Sequence, residues 1–580
     1  MNLKSNAQNN TDIAFEVSFN EPQTHYMEVK LSLSNIKGDE VILKMPVWAP
    51  GSYLIREFSK NVDSFTAQSN DELIPFEKVK KNAWKINTKG KKAITVTYRV
   101  YSFEVSVRTS FVDDAHAFLS PTGVFMYPEG DLDKPSTVTI VPHKNWKKVS
   151  TGLPMVADKK FTYYAKNFDW LFDSPIEVGN QDVFEFTASG VRHEVAMVGG
   201  GNYDKEKLKI DMAKIVEQQT AIFGENPNKY YLFIVHNYQS GGGGLEHLNS
   251  TVLGATRDGY TNSATYQQFL SLVAHEYFHL WNIKRLRPNT LGPFDYDREN
   301  YTTSLWIAEG FTSYYDNIVV KRIGVYTPNQ WLNILEDEIN AVENRLGNKV
   351  QTLSEASFDA WIKYYRPNEN SSNTTVSYYA KGSLVACLLD LTIINASDAK
   401  LSLDDAMRYA YNEYYKKKGR GYTSEEFKAV LEKYTKQNLD QFYADYINGT
   451  KALDFNKYLN YAGFKLLVQP VNQNIPYLGI SLTKDQKEIA TVARNTAAWE
   501  AGLNVKDEII AINGERVSNA LTHINNFDVG DELDFLISRD GIIRTIKVKL
   551  KASASKNYQI RQLESPTSKQ KAVLEKWLSL

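Results

Sequence analysis

The sequence predicts a multidomain α+β protein. The chain has 580 residues, and this length implies several domains. Short runs of alternating apolar and polar residues between about 11 and 185 predict strands, whereas long amphipathic runs between 331 and 465 predict helices. We place the domain boundaries at 1–185 for a β-rich N-terminal domain, 186–465 for a central domain with a helical C-terminal subdomain, 470–552 for a further domain and 553–580 for a helical tail.

The predicted strands have two different patterns. In the N-terminal domain, segments such as 14–19 and 93–100 alternate apolar with polar side chains, as half-buried strands do. The run at 229–238 is instead rich in aromatic and β-branched residues, and it leads into four consecutive glycines, Gly241 to Gly244. This second pattern predicts a strand of the central domain that is followed by a glycine-rich loop.

The most specific pattern in the chain is a His-Glu-x-x-His motif formed by His275, Glu276 and His279. Apolar residues upstream of it recur at helical spacing, and Pro288 is predicted to end the helix. A helix brings positions four apart onto one face, so both histidines can bind one metal ion while Glu276 lies beside it. Zinc peptidases use this arrangement, and the motif therefore predicts a zinc-dependent hydrolase site.

A zinc site of this kind needs a third protein ligand. Glu309 is the best candidate, because it lies in an apolar, helix-like segment where a carboxylate is costly unless it meets a cation. Asp295, Asp297 and Glu299 are alternatives, but they lie in a loop-like stretch where carboxylates are ordinarily solvated. Asp316 falls seven residues after Glu309 and can either orient a ligand or be an ordinary charge on a helix face.

Composition limits the classes of protein. Lys and Arg number 67 against 68 Asp and Glu, so neither nucleic acid nor an anionic membrane is an expected partner. Cys387 is the single cysteine, which excludes an intrachain disulfide. The first residues lack an apolar core of signal-peptide length, and no run of about 18 apolar residues suggests a membrane span. We expect a soluble cytoplasmic protein, or a periplasmic or secreted one if a signal peptide was removed.

The motif and its surroundings carry a family resemblance. The run HEYFHLWNIKRLRP at 275–288, followed by WIAEG at 306–310, resembles the glycyl aminopeptidase family of zinc metallopeptidases, which are relatives of aminopeptidase N. The resemblance implies a thermolysin-like catalytic domain, one zinc ion per chain and Glu309 as the third ligand. The gap from His279 to Glu309 is 309 − 279 = 30 positions, longer than in aminopeptidase N itself, and an insertion would explain it.

The glycine-rich loop extends this resemblance. Residues 243–247 are similar to the Gly-x-Met-Glu-Asn element of aminopeptidase N, where backbone groups pair with substrate and the glutamate binds its free amino terminus. This similarity implies substrate-binding roles for Gly243, Gly244 and Glu246. Glycines allow such close approach because no side chain blocks the backbone. The alternative is a flexible glycine turn followed by a surface glutamate.

A further segment resembles the Tyr-x-Lys-Gly element of the same relatives. It spans 379–382, and the resemblance implies that Tyr379 stabilises the tetrahedral intermediate. A phenol can donate a hydrogen bond to a developing oxyanion while it stays neutral near pH 7. The neighbouring Tyr378 is the alternative, since a tyrosine pair alone means little among 35 tyrosines.

Two segments near the C-terminus, 476–480 and 497–514, resemble a bacterial PDZ domain. PDZ modules accompany the peptidase in the named family. The backbone N–H groups of the carboxylate-binding loop hold a peptide C-terminus in such domains, and this loop corresponds here to Tyr477, Leu478, Gly479 and Ile480. The domain can bind peptide C-termini or serve only in packing.

Together these features predict a zinc-dependent aminopeptidase that acts on peptides with a free N-terminus. The family resemblance suggests Gly or Ala as the first residue. Glu276 would act as the general base, while Glu246 would bind the substrate ammonium group. Two alternatives remain open, namely a zinc endopeptidase without amino-terminal anchoring and a non-catalytic protein that binds peptides through its PDZ domain.

Overall fold

The structure is a computed structural model that describes residues 12–471 and 473–580. The chain forms two compact units. Of the described residues, the first unit holds those up to Tyr301 together with Tyr315–Val325 and Tyr411–Gly421, and the second holds those of Thr302–Tyr314, Tyr326–Ala410 and Tyr422–Leu580. The mixed α+β class predicted from the sequence is confirmed. The domain boundaries proposed from the sequence remain predictions.

The N-terminal part of the first unit is built almost entirely from strands. In chain order they are β1 Ile13–Ser18, β2 Tyr26–Ser34, β3 Glu40–Lys44, β4 Val62–Ser69, β5 Glu72–Leu73, β6 Phe76–Lys80, β7 Ala83–Asn87, β8 Ala93–Tyr101, β9 Phe111–Val112, β10 Ala117–Leu119, β11 Tyr127–Pro128, β12 Ser136–Val141, β13 Lys148–Thr151, β14 Thr162–Ala165 and β15 Ile176–Gly179, with a short helix, α1 Phe168–Phe172, before β15. They form sheets in the orders β14-β12-β1-β2-β8-β4-β5, β13-β15-β10-β9 and β11-β3-β7-β6. Burial alternates along β2, so Met27, Val29 and Leu31 point into the core while their neighbours face outward.

The rest of the first unit is centred on a five-stranded sheet. Its elements are β16 Asp182–Ala188, β17 Val191–Val198, α2 Lys205–Phe223, β18 Tyr230–Tyr238, β19 Gly244–Glu246, β20 Ser250–Thr256 and α3 Ser263–Phe278. The strand order is β16-β17-β18-β20-β19, in which β17, β18 and β20 run parallel and β19 is an antiparallel edge strand. Strand β18 is buried along nearly its whole length, which explains its continuous apolar sequence.

Helix α3 ends earlier than the sequence predicts. Pro288 was expected to stop it, but the helix ends at Phe278 and His279 is its C-cap residue. Ile283 then adopts a φ of 116°, which no helical residue can take. The Leu286 N–H bonds back to the Trp281 carbonyl at 2.8 Å and closes a tight turn. This turn, and not the proline, terminates the helix.

The second unit begins with helical structure. A π-helical segment, Trp306–Phe311, continues directly into α4 Thr312–Arg322, whose residues are shared between the two units. The following helices are α5 Pro328–Glu343, α6 Leu353–Phe358, α7 Ser371–Thr374, α8 Tyr378–Ala396, α9 Leu403–Ala410, α10 Ser424–Thr435, α11 Asp440–Phe442 and α12 Phe455–Leu459. A further π-helical turn of this unit lies at Tyr443–Ile447, whereas the turn Tyr411–Lys417 belongs to the first unit. Short 3₁₀ turns in the chain lie at Pro22–Thr24, Phe58–Asn61, Pro121–Gly123, Asn289–Leu291, Leu346–Lys349, Asp359–Trp361, Asn460–Ala462 and Ile524–Asn526.

Helix α8 is the apolar centre of this region. It belongs to the stretch Ser371–Ala396, the single segment among the described residues that is long and apolar enough to cross a membrane by length and composition. Within that stretch, 78% of the most apolar window is buried inside the protein. Such burial is what the core helix of a globular protein shows.

The C-terminal part of the second unit returns to strands. They are β21 Phe464–Pro470, β22 Pro476–Tyr477, β23 Ile480–Leu482, β24 Ile489–Val492, β25 Glu508–Ile512, β26 Glu515–Arg516, β27 Glu532–Arg539, β28 Ile542–Lys549, β29 Lys551–Ala552 and β30 Lys556–Gln562, with helices α13 Ala497–Ala501, α14 Ala520–His523 and α15 Ser568–Leu578. The sheets are β26-β25-β27-β28, β23-β24, β22-β29 and β21-β30. The tail contains the predicted helix, α15, but the sequence did not predict β30 before it.

Helix α5 holds the edge of β30 through polar side chains on one of its faces. The Asn340 side chain both donates to the Tyr558 carbonyl and accepts from the Tyr558 N–H, at 2.8 and 3.0 Å. Glu336, one turn earlier, accepts from the Ile560 N–H at 2.7 Å. Because positions four apart share a helix face, these side chains satisfy backbone groups that an edge strand would otherwise expose.

Helix α15 docks through one large aromatic side chain. Trp577 is fully buried, and its Nε1–H donates to the Tyr314 hydroxyl at 3.0 Å. Tyr314 in turn donates to Asp390 on α8. The indole ring also packs edge-to-face with Trp331 at 6.2 Å between ring centroids. The tail is therefore part of the core of the second unit.

We expect Trp577→Ala to lower the free energy of unfolding by about 3–5 kcal/mol, because it leaves a large cavity and removes the donor to Tyr314. The matched control is Trp499→Ala, since Trp499 is 44% exposed and its loss should cost less than about 1 kcal/mol. Chemical denaturation followed by circular dichroism measures both. Equal effects of the two substitutions would contradict the docking role.

Candidate active site

The two histidines of the His-Glu-x-x-His motif lie at the C-terminal end of α3. Their ring centroids are 4.8 Å apart and the rings are nearly perpendicular, at 83°. The His275 Nδ1 contacts Asp316 Oδ2 at 2.9 Å, and the His279 Nδ1 contacts the Asn282 carbonyl at 2.9 Å. These contacts favour the Nδ1–H tautomer of each ring, in which Nε2 is the atom that can bind a metal ion. The pair therefore fits the zinc that the motif predicts.

Asp316 is a buried partner of His275 and not an ordinary surface charge. Its side chain is buried, and burial raises the pKa of this carboxyl above its ordinary value, although the hydrogen bond from His275 opposes the rise. Two of the three predicted alternatives for a third ligand, Asp297 and Asp295, form ion pairs with basic side chains. Asp297 forms an ion pair with Lys44 at 2.6 Å, and Asp295 forms one with Arg298 at 2.7 Å.

Two carboxylates stand beside His279 in the first unit. Glu246 at the end of β19 and Glu276 on α3 each place an oxygen within 4.8 Å of a His279 ring nitrogen and of each other. All three side chains are at most 4% exposed. The structure thus brings together Glu246 and Glu276, which lie 30 residues apart in the chain, and concentrates negative charge where a substrate ammonium group could bind.

Two glycines allow this cluster to be so compact. A Cβ atom added to Gly244 would lie 2.2 Å from Glu276 Oε1, so only glycine lets the loop backbone pass beside that carboxylate. Gly51, in a loop of the N-terminal sheets, has a φ of 89°, and a Cβ there would lie 2.6 Å from Glu246 Oε1. The segment 46–53 also resembles the family and was expected as a loop packed against the catalytic domain, but no local pattern pairs Gly51 with Glu246, because the two residues are remote in the chain.

A buried ion cluster supports the segment after Glu246. Asp173 accepts hydrogen bonds from the Leu248 N–H and from Lys284, at 2.9 and 2.8 Å, and contacts His247 Nδ1 at 2.9 Å. Burial alone would raise the pKa of Asp173, but the Lys284 ammonium group and His247 hold it below its ordinary value. Sequence reasoning missed Asp173, since a single aspartate in a β-rich region carries no motif.

Glu309 and Tyr379 lie in the second unit. Glu309 is 2% exposed and belongs to the π-helical segment Trp306–Phe311, a rare geometry that often marks functional sites. A Cβ on Gly310 would lie 2.5 Å from the Gly382 Cα, so the glycines that follow Glu309 and Lys381 let this segment cross α8 closely. The two glycines therefore serve helix packing.

The structure also distinguishes the two adjacent tyrosines. Tyr378 is fully buried, whereas Tyr379 retains partial exposure. Burial, followed by the negative charge of Glu309, raises the pKa of Tyr379 well above its ordinary value. Tyr379 is accordingly a neutral hydrogen-bond donor at physiological pH, and it is the more accessible of the pair.

The predicted carboxylate-binding loop spans the junction of β22 and β23. Gly479 has a φ of 83°, and a Cβ there would lie 2.2 Å from Thr496 Cβ, so this turn requires glycine. Leu478 is fully buried, while Tyr477 is 39% exposed. Among the described strands, β23 pairs with β24 alone. The other edge of β23 is where a PDZ domain receives a peptide strand.

The close approach of Gly244 to Glu276 generates a sharp test. We expect Gly244→Ala to reduce peptide hydrolysis by about 10²-fold or more, because the added methyl displaces the carboxylate and small misplacements are costly in catalysis. Gly242→Ala is the matched control, since a Cβ at that position meets no atom within 4 Å. Steady-state kinetics with circular dichroism as a folding check would measure this; similar activity of the two variants would contradict the contact.

Three family models match this chain. They are the Peptidase M61 N-terminal domain over 14–180, the M61 glycyl aminopeptidase over 268–385 and the PDZ domain over 476–550. A search of curated proteins found no match.

Solved structures support the same assignment. An aminopeptidase N family protein from Idiomarina loihiensis is 31% identical, with a TM-score of 0.90 over 98% of this chain and 100% of that chain. An M1 zinc metallopeptidase from Deinococcus radiodurans shares the fold at 11% identity, with a TM-score of 0.50 over 76% of this chain and 94% of that chain. With its motif, its three matching domains and a relative of equal extent, the chain belongs to the M61 glycyl aminopeptidase family and is a zinc aminopeptidase.

Proposed function

We propose that this zinc aminopeptidase removes a single small residue, Gly or Ala, from the free N-terminus of peptides, with Glu276 as the general base. The observation that carries this proposal is the buried cluster of Glu246, Glu276 and His279. One carboxylate beside a metal ligand is sufficient for hydrolysis. A second one at this distance supports recognition of a cationic group, and the free N-terminus of a peptide is such a group.

The zinc ligands in this proposal are His275, His279 and Glu309. Support comes from the hydrogen bonds that orient both imidazole rings and from the placement of Glu309 in a buried π-helical turn. Two histidines and a carboxylate are a common donor set for catalytic zinc. When bound, zinc supplies a Lewis acid that lowers the pKa of water at this site and polarises the scissile carbonyl.

The remaining residues have complementary roles. Glu276 accepts the proton of the attacking water and later delivers it to the leaving amine. Tyr379 donates a hydrogen bond to the developing oxyanion, and its raised pKa supports this role because the phenol keeps its proton. Gly243 and Gly244 have no side chain that would keep a substrate away from the backbone beside β19, an edge strand of its sheet.

Glu246 restricts cleavage to the first residue. Its carboxylate pairs with the substrate ammonium group, so the scissile bond is the one nearest the N-terminus. The Gly51 backbone closes one side of the space around this carboxylate. That closure, together with the family resemblance, supports a preference for small first residues.

The two alternative functions, a zinc endopeptidase and a non-catalytic peptide-binding protein, predict different activities. A zinc endopeptidase would cleave amino-blocked peptides as readily as free ones, whereas a binding protein would show no zinc-dependent turnover.

For the PDZ domain, we propose recognition of peptide C-termini by the loop at Tyr477, Leu478, Gly479 and Ile480. The positive φ of Gly479 and the single pairing of β23 support this second role.

The first test combines metal removal with Glu276→Gln. Hydrolysis of glycyl and alanyl chromogenic amides should stop in the presence of a chelator and return when zinc is added. Glu276→Gln should keep its zinc but lose about 10²–10⁴-fold in kcat, because it removes the proton acceptor. Near-wild-type turnover by a zinc-loaded Glu276→Gln variant would show that the base is a different residue.

The second test addresses the amino-terminal anchor. Glu246→Ala should reduce kcat/KM more for free-amine substrates than for matched amino-blocked peptides, since only the former carry the charge that it binds. Gly51→Ala should shift the same ratio by displacing Glu246. Gly130→Ala is its control, because Gly130 has a similar φ of 87° but a Cβ there meets nothing within 4 Å. An equal loss on both substrate types would remove the anchoring role.

A further inference from the structure

Three metal-binding side chains of the first unit meet outside the proposed catalytic cluster. His116 lies just before β10, Glu177 lies on β15 and His236 lies on β18. One ligand atom from each side chain lies within 4.8 Å of the others. The His116 Nδ1 is 2.8 Å from Glu177 Oε1, and the His236 Nε2 is 2.9 Å from Glu177 Oε2.

We propose that His116, Glu177 and His236 bind a second divalent metal ion, most readily zinc, in a structural site. Two imidazole nitrogens and one carboxylate are ligands that zinc accepts, and a water or a further protein atom completes the coordination. Donors bonded to one zinc ion at ~2.1 Å lie ~3.4 Å apart in tetrahedral geometry. The observed contacts of 2.8 and 2.9 Å, each to a different Glu177 oxygen, therefore open by ~0.5–0.6 Å when both oxygens bind the ion.

Burial and charge support a cation at this place. Glu177 is 0% exposed and His236 is 2% exposed, and a buried carboxylate is costly without a positive charge beside it. A second carboxylate, Asp113, also acts on the cluster. Burial would lower the pKa of His116, but Glu177 and then Asp113 raise it above its ordinary value. One divalent ion with two neutral histidines would balance these two negative charges.

The surrounding contacts hold the ligands in place. Asp113 accepts hydrogen bonds from the Ala115 and His116 N–H groups, which fixes the turn that carries His116. The Tyr238 hydroxyl contacts the His236 Nδ1 at 3.2 Å. When the Tyr238 hydroxyl oxygen accepts a hydrogen bond from His236 Nδ1–H, the lone pair of His236 lies on Nε2 and faces the cluster, which is the form that binds a metal.

Such an ion would join two sheets of the first unit. Strands β10 and β15 belong to the sheet β13-β15-β10-β9, whereas β18 is the centre of the five-stranded sheet and leads toward the glycine-rich loop. The side chain of His116 is 20% exposed and offers an entry path for the ion. The competing interpretation is a cluster of hydrogen bonds around a protonated histidine, with no metal.

The test is zinc content per chain in the full-length protein. The protein is loaded with zinc, freed of loosely bound metal by gel filtration and measured by mass spectrometry for elements. Wild type should hold two ions and Glu177→Gln one. The double variant His275→Ala/His279→Ala should also hold one, because it retains the second site. Glu194→Gln is the control, a strand carboxylate outside the cluster that should leave two ions.

Each outcome decides the proposal independently of the catalytic assignment. The proposal is overturned if wild type holds one ion and the histidine double variant holds none. It is also overturned if Glu177→Gln holds two ions. In either case the cluster is a metal-free set of hydrogen bonds. Zinc should also raise the thermal unfolding midpoint of the histidine double variant. It should not raise the midpoint of the triple variant that also carries Glu177→Gln. His116→Asn, at the more exposed position, repeats the metal count if Glu177→Gln does not fold.

Discussion

The orientation of two imidazole rings is the constraint on which the rest of the site depends. Helical spacing places His275 and His279 on one face, but it does not decide which nitrogen of each ring faces the metal. Two contacts decide the orientation of the rings: Asp316 contacts the His275 Nδ1, and the Asn282 carbonyl contacts the His279 Nδ1. The second contact exists because α3 stops at Phe278 and the chain turns back. The early end of the helix therefore helps to form the proposed metal site.

Close backbone approach is the second organising feature. Gly244 passes beside Glu276, Gly51 lies against Glu246, and Gly310 meets Gly382 at a helix crossing. In each case glycine allows the contact because it has no side chain, and not because its backbone is flexible. Glycines of one run can therefore have different roles, since a Cβ on Gly242 would meet nothing, whereas one on Gly244 would collide with a carboxylate.

The N-terminal sheets contribute directly to the catalytic region of the first unit. Gly51 packs on Glu246, Arg108 donates to the Gly244 carbonyl at 3.0 Å, and Asp173 holds the backbone after Glu246. These contacts join the β-rich part to the edge strand β19. A change in the β-rich part can thus alter the geometry around the proposed substrate anchor without touching the metal ligands.

The sequence by itself determined the chemistry, because a local pattern carries it. The spacing of His275 and His279 depends only on helix geometry, and the family resemblance predicted roles for Glu246, Glu309 and Tyr379 from short motifs. Tertiary structure alone decided which remote residues support them. Asp173 has no motif, and the run around Gly51 does not show which residue it meets; their contacts span 195 and 75 positions, from 246 − 51 and 248 − 173. No local pattern encodes such a contact, since it depends on how the sheets pack.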